Sequence, residues 1–335
     1  MRAVVAERFG GPEVLAVVER APPEVRAGDV RIAVKAASLN PLDYKIREGK
    51  VKLVLAARPP IALGCDVAGV VEQVGAGVTR FGVGDEVYAR LEKDRMGGLA
   101  ELACADERVV AKKPARATFE EAASIPLAGL TALQALREAA GLRAGQRVLV
   151  HAGAGGVGSL AIQLGKILGL HVATTTSTRN VELVRSLGAD RVIDYTTGAP
   201  LVEGDGDGAR FDAVFDTLGG ASELASIAAT KRGGVVVGVG GLPDAAFARE
   251  RLPAWVRPAL WLMTRKRRAD EARAGVRFVY LFMRPDGAQL AEMAAWIDEG
   301  KLRPLLHKTY PLAEVGEAFR ELERGRARGK IVVTI

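Results

Sequence analysis

The sequence has little cysteine and histidine and no long apolar run, and each shortage excludes a class of protein. Its 335 residues include only two cysteines, Cys65 and Cys104, too few for a disulfide framework, which favours a reducing compartment. No uninterrupted apolar segment is long enough to cross a bilayer, and the first residues lack the apolar core of a signal peptide. The three histidines, His151, His171 and His307, show no paired metal-binding spacing, so we expect structural roles for them. We therefore predict a cytoplasmic protein with no membrane partner.

The charge balance is also moderate. Lys+Arg 47 against Asp+Glu 40 gives a net charge of +7, which favours anionic ligands but is small for a chain of this length. The densest basic cluster, residues 265–268, could be part of a nucleic-acid surface. We interpret it instead as a solvated surface loop and expect no specific nucleic-acid partner.

A glycine-rich turn at residues 148–158 is the most informative stretch of the chain. A short apolar run typical of a buried strand leads into Gly-x-Gly-x-x-Gly, and an apolar helical pattern follows it. In this context the glycines allow a tight turn, close approach to a pyrophosphate and close helix packing, and the helix N-terminus faces the phosphates. The sequence therefore predicts a dinucleotide site at Gly153, Gly155, Gly156, Val157 and Gly158.

The residues on either side of this turn divide the chain into two kinds of structure. The first part is rich in alternating strand patterns and glycine turns, whereas strands and helices alternate from residue 147 onward. Strands are predicted at 147–152, 171–176, 191–195, 213–217, 235–239 and 276–282, which suits a doubly wound nucleotide domain.

The domain limits follow from these patterns. We predict a β-rich domain split between residues 1–124 and 285–335, around a nucleotide domain at 125–284. A helical insertion is expected around residues 243–275. In the last segment we predict helices at 287–300 and 312–324 and a final strand at 330–335. The turn at residues 205–208 faintly resembles a calcium loop, but the remaining ligands are absent, and we interpret it as a surface turn.

Several motifs together resemble the medium-chain dehydrogenase/reductase superfamily over essentially the full length of the chain. They are SLNPLDYK at 38–45, GCDVAGVV at 64–71, GVGDEV at 82–87, HAGAGGVG at 151–158, SLGAD at 186–190 and RGK at 328–330. The branch that the chain resembles is that of zinc-free quinone oxidoreductases and enone or alkenal reductases. The resemblance implies an α/β fold with a GroES-like, barrel-type catalytic domain and a Rossmann domain, assembled as a homodimer.

The resemblance also bears on a metal site. In zinc-bearing relatives three protein ligands hold the catalytic ion, and the matching positions in this chain are Asn40, Cys65 and Leu127. One thiolate beside an amide and an alkyl group cannot supply the ligands that catalytic zinc needs. We therefore expect no metal and interpret Cys65 as a buried strand residue. Without a metal to stabilise an alkoxide, hydride delivery to an already electrophilic alkene or quinone is the reaction we expect.

The end of the second nucleotide-domain strand indicates which cofactor binds. An NAD site usually has an acid there to bind the ribose 2′-hydroxyl, but residues 174–180 read TTTSTRN, with no acid before Glu182. Hydroxyls and a guanidinium suit a 2′-phosphate, so we predict NADP(H) bound by Ser177, Thr178, Arg179 and Asn180. A simple polar turn is the alternative, but it leaves the missing acid unexplained.

The resemblance adds further cofactor contacts. It places Tyr195 at the 2′-phosphate or its ribose, Thr131 on the nicotinamide side, and the loop of Val239, Gly240 and Gly241 over the cofactor. In the family the segment containing Gly329 and Lys330 returns to the cofactor.

The catalytic hypothesis rests on residues 40–45, which the resemblance places in a loop beside the nicotinamide. Lys45 is predicted to donate a hydrogen bond to the substrate carbonyl or to the cofactor ribose, because donors aimed at a developing enolate stabilise the transition state. Asp43 is expected to fix the loop, and Asn40 to contact substrate or ribose. A solvated surface lysine is the alternative.

The predicted activity is NADPH-dependent reduction of the C=C bond of an enone or enal. Quinone reduction at the same site is the first alternative, since both substrates are flat conjugated carbonyls. A non-catalytic nucleotide- or RNA-binding protein is the second.

Overall fold

The computed structural model describes residues 1–55, 58–204 and 209–335. The predicted surface turn at 205–208 lies outside these residues. Within them, residues 1–130 and 284–335 form one compact unit, and residues 131–283 form a second. None of the helices in the described ranges is both long and apolar enough to span a bilayer.

The first segment of the chain is β-rich, as expected. Its strands are β1 (Arg2–Ala6), β2 (Leu15–Glu19), β3 (Asp29–Ser38), β4 (Ile61–Ala62), β5 (Asp66–Val74), β6 (Glu86–Arg90), β7 (Leu102–Asp106) and β8 (Val110–Lys112). Its helices are α1 (Pro41–Arg47) and α2 (Phe119–Ala123), followed by α3 (Pro126–Gln134).

Helix α1 corrects one prediction. Residues 40–45 were expected to form a loop, but Pro41–Arg47 is helical. Asn40 is the N-cap residue of this helix and has an extended backbone. Proline suits the first helical position, and the backbone N–H of Asn40 donates to Oδ2 of Asp43 at 2.7 Å. Lys45 is therefore held on a helix and not on a loop.

The second unit is a six-stranded parallel sheet covered by helices. Its strands are β9 (Arg147–Val150), β10 (His171–Thr176), β11 (Arg191–Asp194), β12 (Phe211–Asp216), β13 (Thr230–Gly238) and β14 (Arg277–Tyr280). Its first helices are α4 (Gly156–Ile167), α5 (Val181–Ser186) and α6 (Ala221–Ala229). The strand order β11-β10-β9-β12-β13-β14 reverses beside β9, and the doubly wound prediction is confirmed.

The insertion is helical, as predicted. It contains α7 (Ala245–Arg251), α8 (Arg257–Met263) and α9 (Arg265–Ala274). The interpretation of residues 265–268 as a solvated loop is wrong, because they begin α9 and the Arg267 side chain is buried.

The last segment returns to the first unit. It contains α10 (Gly287–Asp298), β15 (Leu306–Pro311), α11 (Val315–Glu323) and β16 (Lys330–Thr334), of which only β15 was not predicted. Strand β16 pairs with β3, so the final residues complete a sheet ordered β15-β16-β3-β5-β6-β8, with β7 also on β3. The strands β2-β1-β4 form a small separate sheet. One apolar core lies inside this first unit and is built from side chains such as Ile32, Leu63 and Phe319.

Candidate catalytic and nucleotide sites

A buried polar cluster joins the start of α1 to the start of β16 within the first unit. Lys330 donates from Nζ to the backbone oxygen of Leu39 at 2.8 Å and to Oδ1 of Asn40 at 2.5 Å. Nδ2 of Asn40 donates to Oδ2 of Asp66 at 2.8 Å, and Nζ of Lys330 is 3.8 Å from the same oxygen. The amide of Asn40 is thus fixed from both ends.

This cluster brings together three residues predicted for different parts of the site. Asn40, Asp43 and Lys330 are all buried. Burial lowers the pKa of the Lys330 ammonium, while the Asp66 carboxylate opposes that shift. Sequence reasoning assigned Lys330 to the cofactor and gave Asp66 no role, although Asp66 lies in the quoted 64–71 motif. In the structure Lys330 orients the residue that begins α1.

Asp43 lies fully inside this region. Its Oδ2 accepts the Asn40 N–H, and its Oδ1 has no hydrogen-bond partner among the described residues. Burial raises the pKa of Asp43 to about 7, the Asp66 carboxylate adds to the rise, and the Asn40 N–H and Lys330 oppose it. These contacts place Asp43 at the start of the helix that carries Lys45.

The raised pKa of Asp43 predicts a pH dependence of stability. The folded protein holds this proton more tightly than the unfolded chain, whose value is 3.8, so the free energy of unfolding falls as pH rises from about 4 to about 7 and then levels off. We expect the free energy of unfolding to fall by about 2 kcal/mol. This is less than the whole change in the pKa of Asp43 would give, because the protein around the ionised carboxylate relaxes. Denaturant titrations at several pH values measure it.

The matched variants are Asp43→Asn and Asp94→Asn. The first keeps an acceptor for the Asn40 N–H but cannot ionise, so its stability should not fall over this pH window. Asp94 is largely exposed, and its variant should keep the slope of the parent protein. Equal slopes in the parent and Asp43→Asn would contradict the assignment.

Lys45 is half-buried near the end of α1. The described residues provide no hydrogen bond or ion pair to its Nζ, whereas the neighbouring Arg47 is buried and paired with Glu323 at 2.8 Å. A partly buried ammonium without a protein partner can donate to an external oxygen. The start of α1 is thus held firmly, and the ammonium group of Lys45 on this helix is available to bind a ligand.

The three positions matched to zinc ligands lie around Cys65 and Asp66. Nδ2 of Asn40 is 3.7 Å from Sγ of Cys65, and the backbone N–H of Leu127 donates to Oδ1 of Asp66 at 2.9 Å. Burial raises the pKa of the Cys65 thiol well above its usual range, which disfavours a thiolate ligand. The described residues contain no group of three or more His, Cys, Asp or Glu side chains placed to hold a metal ion. These residues do not fit a catalytic zinc ion.

In the second unit the glycine turn has the packing that a dinucleotide loop requires. A Cβ on Gly153 would lie 2.1 Å from Oγ1 of Thr174, and one on Gly158 would lie 2.3 Å from the backbone oxygen of Ala152. At Gly155 the contact is less severe, since a Cβ would lie 3.3 Å from the backbone oxygen of Ala152. Gly155 begins α4 without a capping side chain, so the N–H groups of Gly156 and Val157 remain for an anionic ligand. This loop fits the pyrophosphate of a dinucleotide.

A buried hydrogen-bond network next to this turn was not predicted from the sequence. The ring of His151 lies 3.1 Å from Oγ1 of Thr175 and 3.1 Å from Oγ of Ser226, and Oγ of Ser226 donates to Asp216 at 2.8 Å. Burial lowers the pKa of His151, while Asp216 opposes the shift. The structural interpretation of His151 therefore agrees with its contacts. The signal available for Asp216 was its position at the end of a predicted strand.

The predicted 2′-phosphate residues follow β10 at the surface. Thr178 and Arg179 are exposed, Ser177 is half-buried, and Tyr195 from the end of β11 is 64% exposed, whereas Asn180 is buried. Oγ1 of Thr178 lies 2.7 Å from Oγ1 of Thr196. Hydrogen bonds from Thr178 and Thr196 lower the pKa of Asp194, an acid of the third strand that sequence reasoning did not weigh.

The loop after β13 packs closely on the loop after β12. A Cβ on Gly219 would lie 2.4 Å from the backbone nitrogen of Gly241, and one on Gly241 would lie 2.1 Å from Oε1 of Glu223. Arg267 donates from Nη1 to the backbone oxygen of Leu242 at 2.6 Å and pairs with Glu223 at 3.2 Å. The backbone directly after the predicted cofactor loop at 239–241 is therefore held by the buried Arg267 of the insertion.

Two predicted cofactor residues complete the set. Thr131 is buried at the beginning of the second unit. Gly329 has a φ of +83°, and a Cβ there would lie 2.1 Å from the backbone oxygen of Leu305. Its position therefore requires glycine for reasons of packing, whatever it contacts.

A GroES-like unit with a fixed helix start, and a Rossmann unit with a glycine phosphate loop, together define a nucleotide-dependent dehydrogenase or reductase. Residues 26–115 match the model of the alcohol dehydrogenase GroES-like domain, and residues 187–333 match that of the zinc-binding dehydrogenase family.

Individual proteins extend these matches over the whole chain. The chain is 35% identical to a chloroplast envelope quinone oxidoreductase homolog of Arabidopsis thaliana, covering 97% of this chain and 95% of that protein. It is 37% identical to the chloroplastic NADPH-dependent alkenal/one oxidoreductase of the same plant, over 99% of this chain and 79% of that protein. The structure of the quinone oxidoreductase from Coxiella burnetii superimposes with a TM-score of 0.84 at 34% identity, covering 100% of this chain and 99% of the other.

The chain belongs to the medium-chain dehydrogenase/reductase superfamily, in the branch of quinone oxidoreductases and enone or alkenal reductases. The predicted family and fold class are thereby confirmed.

Proposed function

We propose that this protein is an NADPH-dependent oxidoreductase that reduces the C=C bond of an α,β-unsaturated carbonyl compound. The observation that carries the proposal is Lys45, a half-buried cation without a protein partner in the described ranges, on a helix whose start is fixed by Asn40, Asp43 and Lys330. The family relationship supports it, since one relative is named an NADPH-dependent alkenal/one oxidoreductase.

When bound, NADPH supplies a hydride for the electron-poor β-carbon of the substrate. Lys45 donates a hydrogen bond to the carbonyl oxygen, where negative charge develops as the enolate forms. Asn40 and Asp43 keep α1, and with it Lys45, in one position. The α-carbon of the enolate then takes up a proton, which completes the reduction.

The phosphates of the cofactor are proposed to bind through residues of the types that phosphates prefer. The helix start at Gly155, Gly156 and Val157 suits the pyrophosphate, and the exposed hydroxyls with Arg179 suit the 2′-phosphate.

The proposed 2′-phosphate contact predicts the effect of Arg179→Ala. Loss of a charge-assisted hydrogen bond should raise KM for NADPH by roughly 10- to 100-fold, because such bonds contribute about 1.5–3 kcal/mol. The KM for NADH should hardly change. Arg185→Ala is the control, because Arg185 is exposed and paired with Glu182 on α5. Equal effects of Arg179→Ala on the two coenzymes, or faster turnover of the parent with NADH, would contradict NADPH specificity.

Quinone reduction at the same site is the second candidate, favoured by the relatives named quinone oxidoreductases. A flat quinone offers Lys45 a carbonyl oxygen in the same way. Initial rates of NADPH oxidation with a panel of enones, enals and quinones test both candidates. Higher kcat/KM for alkenals supports the proposal, and higher values for quinones support the alternative. NADPH binding without turnover of any of them would favour a non-catalytic binding protein.

We also propose that the protein is a cytoplasmic homodimer. The support for the dimer is the position of strand β14 at the edge of the six-stranded sheet, where a second copy can pack against it, although the backbone N–H of Tyr280 on that strand already donates to Oδ2 of Asp244 at 2.9 Å. Sedimentation velocity over a range of concentrations tests it, and cell fractionation tests the location. A monomer at all concentrations would refute the dimer.

A further inference from the structure

The helical insertion carries a cluster of large apolar side chains that are exposed to solvent. Among the described residues, ten large hydrophobic side chains are exposed, and four of them lie within nine positions. These four are Trp255 at 75%, Trp261 at 61%, Leu262 at 55% and Met263 at 64% exposure, and we call them the insertion tip. On α8 only Leu260 faces inward. An apolar cluster of this kind on a surface marks an interaction site.

The same segment carries most of the excess positive charge of the protein. Residues 245–274 contain eight cationic and three acidic side chains, which gives five of the seven net positive charges of the chain. All three acids are paired with arginines of this segment: Glu250 with Arg251, Asp270 with Arg273 and Glu271 with Arg267.

Two cations that follow the insertion tip, Arg265 and Lys266, are available to contact a partner. Arg265 and Lys266 are exposed, and no ion pair to either occurs within the described ranges. The guanidinium of Arg268 lies 4.1 Å from the ring centroid of Trp261 and donates to the backbone oxygen of Trp261 at 2.7 Å, so cation and aromatic ring form one surface.

We propose that the insertion tip, with Arg265 and Lys266, docks the protein on an anionic membrane surface. Tryptophan, leucine and methionine side chains at the end of a helix suit the boundary between headgroups and acyl chains, and flanking lysine and arginine attract anionic headgroups. The expectation of no membrane partner rested on the lack of a segment long enough to span a bilayer, and docking at the membrane surface does not need such a segment.

Charge complementarity selects this occupant over a second copy of the chain. A two-fold symmetric contact centred on the insertion tip would place the same patch against itself, bringing Arg265 and Lys266 of one copy close to their counterparts. An anionic bilayer instead supplies opposite charge and an apolar layer at the depth of the indole rings. The edge strand β14, proposed for the dimer, is a different element.

Vesicle flotation tests the proposal with phosphatidylcholine vesicles that contain or lack phosphatidylglycerol, at low and high salt. We expect binding only to the anionic vesicles, weakened by high salt. Arg265→Glu with Lys266→Glu should lower the partition coefficient by at least on the order of 30-fold, since each cation lost contributes about fivefold and each new carboxylate is repelled by the anionic surface. Trp261→Ser with Leu262→Ser should also abolish stable binding. On binding, the tryptophan emission of the parent should shift to shorter wavelength, because two of the three tryptophans lie on the tip.

Two control variants match these changes elsewhere on the surface. Arg20→Glu with Arg26→Glu reverses two exposed cations of the first unit, and Val83→Ser removes an exposed apolar side chain. Both should bind like the parent, and thermal unfolding should show that all variants are folded.

Three results would overturn the proposal. The first is absence of binding to anionic vesicles, and the second is an equal loss of vesicle binding in the control variants. The third is full binding by Trp261→Ser with Leu262→Ser, which would show that charge attraction alone causes the binding. A dimer that dissociates when the tip is substituted, without any vesicle binding, would assign this surface to a second copy.

Discussion

Replacing Lys45 by alanine is expected to lower kcat for an enone on the order of 100-fold, with a much smaller change in KM. The reason is that the ammonium donates to an oxygen that becomes charged only as hydride arrives, so its loss is felt in the transition state more than in the bound substrate. Stopped-flow measurement of NADPH oxidation at saturating enone isolates this step from product release.

Two variants make the Lys45 test specific. Lys45→Arg retains a cationic donor and should recover part of the rate, although the planar guanidinium has a different geometry. Lys52→Ala removes a nearby exposed lysine that lies over the ring of Phe9, 4.5 Å from its centroid, and should leave kcat unchanged. Unchanged turnover in Lys45→Ala would remove this residue from the mechanism and leave the cofactor assignment standing.

Replacing Arg267 by methionine is expected to lower the free energy of unfolding by about 3–5 kcal/mol. Its side chain is 5% exposed, pairs with Glu223, bonds the backbone oxygens of Leu242 and Pro243, and lies 4.0 Å from the ring centroid of Phe278. Methionine can occupy the space but leaves the Glu223 carboxylate without its cation and two carbonyl groups without their donor inside the protein. Denaturant titration followed by circular dichroism measures the loss.

The neighbouring Lys266→Met is the control for Arg267→Met. Lys266 is exposed on the same helix, so its replacement should change stability by less than about 0.5 kcal/mol. Adding Glu223→Gln to Arg267→Met should recover part of the loss, because the uncompensated charge is removed. A loss below about 1 kcal/mol in Arg267→Met would mean that the insertion is held mainly by apolar packing. The predicted NADPH contacts at 239–241 should weaken together with stability, since the same guanidinium fixes the carbonyls that follow them.

The regular part of the fold could be predicted from the sequence because its signals are local and repeated. The run before the glycine turn gave β9, and the strand and helix spacing after it gave the remaining strands of the sheet. Strand β15 was missed because Leu306–Pro311 does not alternate cleanly and ends in proline, which is typical of an edge strand.

Helix α1 could also have been predicted. Asn40 before Pro41, with an acid at the third helical position, is a helix-start signal, but the resemblance to a family loop was given more weight.

The long-range contacts of the candidate sites could not be predicted. The contact between Lys330 and Asn40 joins residues 290 positions apart, and no local pattern shows that a lysine in a final strand will orient a helix start. Similarly, four consecutive basic residues give no indication that only Arg267 is buried, because its partner Glu223 lies 44 positions earlier. The residues predicted to bind the cofactor phosphates could be identified from the sequence, because the turn and the helix that carry them are contiguous in the chain.

The burial of both thiols has a consequence for an enzyme that is proposed to handle electrophiles. Conjugated enals alkylate cysteine in its thiolate form. Cys65 is fully buried, Cys104 is 4% exposed, and burial raises the pKa of Cys104 to about 11. Both thiols are therefore poorly accessible and poorly ionised for alkylation by the conjugated enals proposed as substrates.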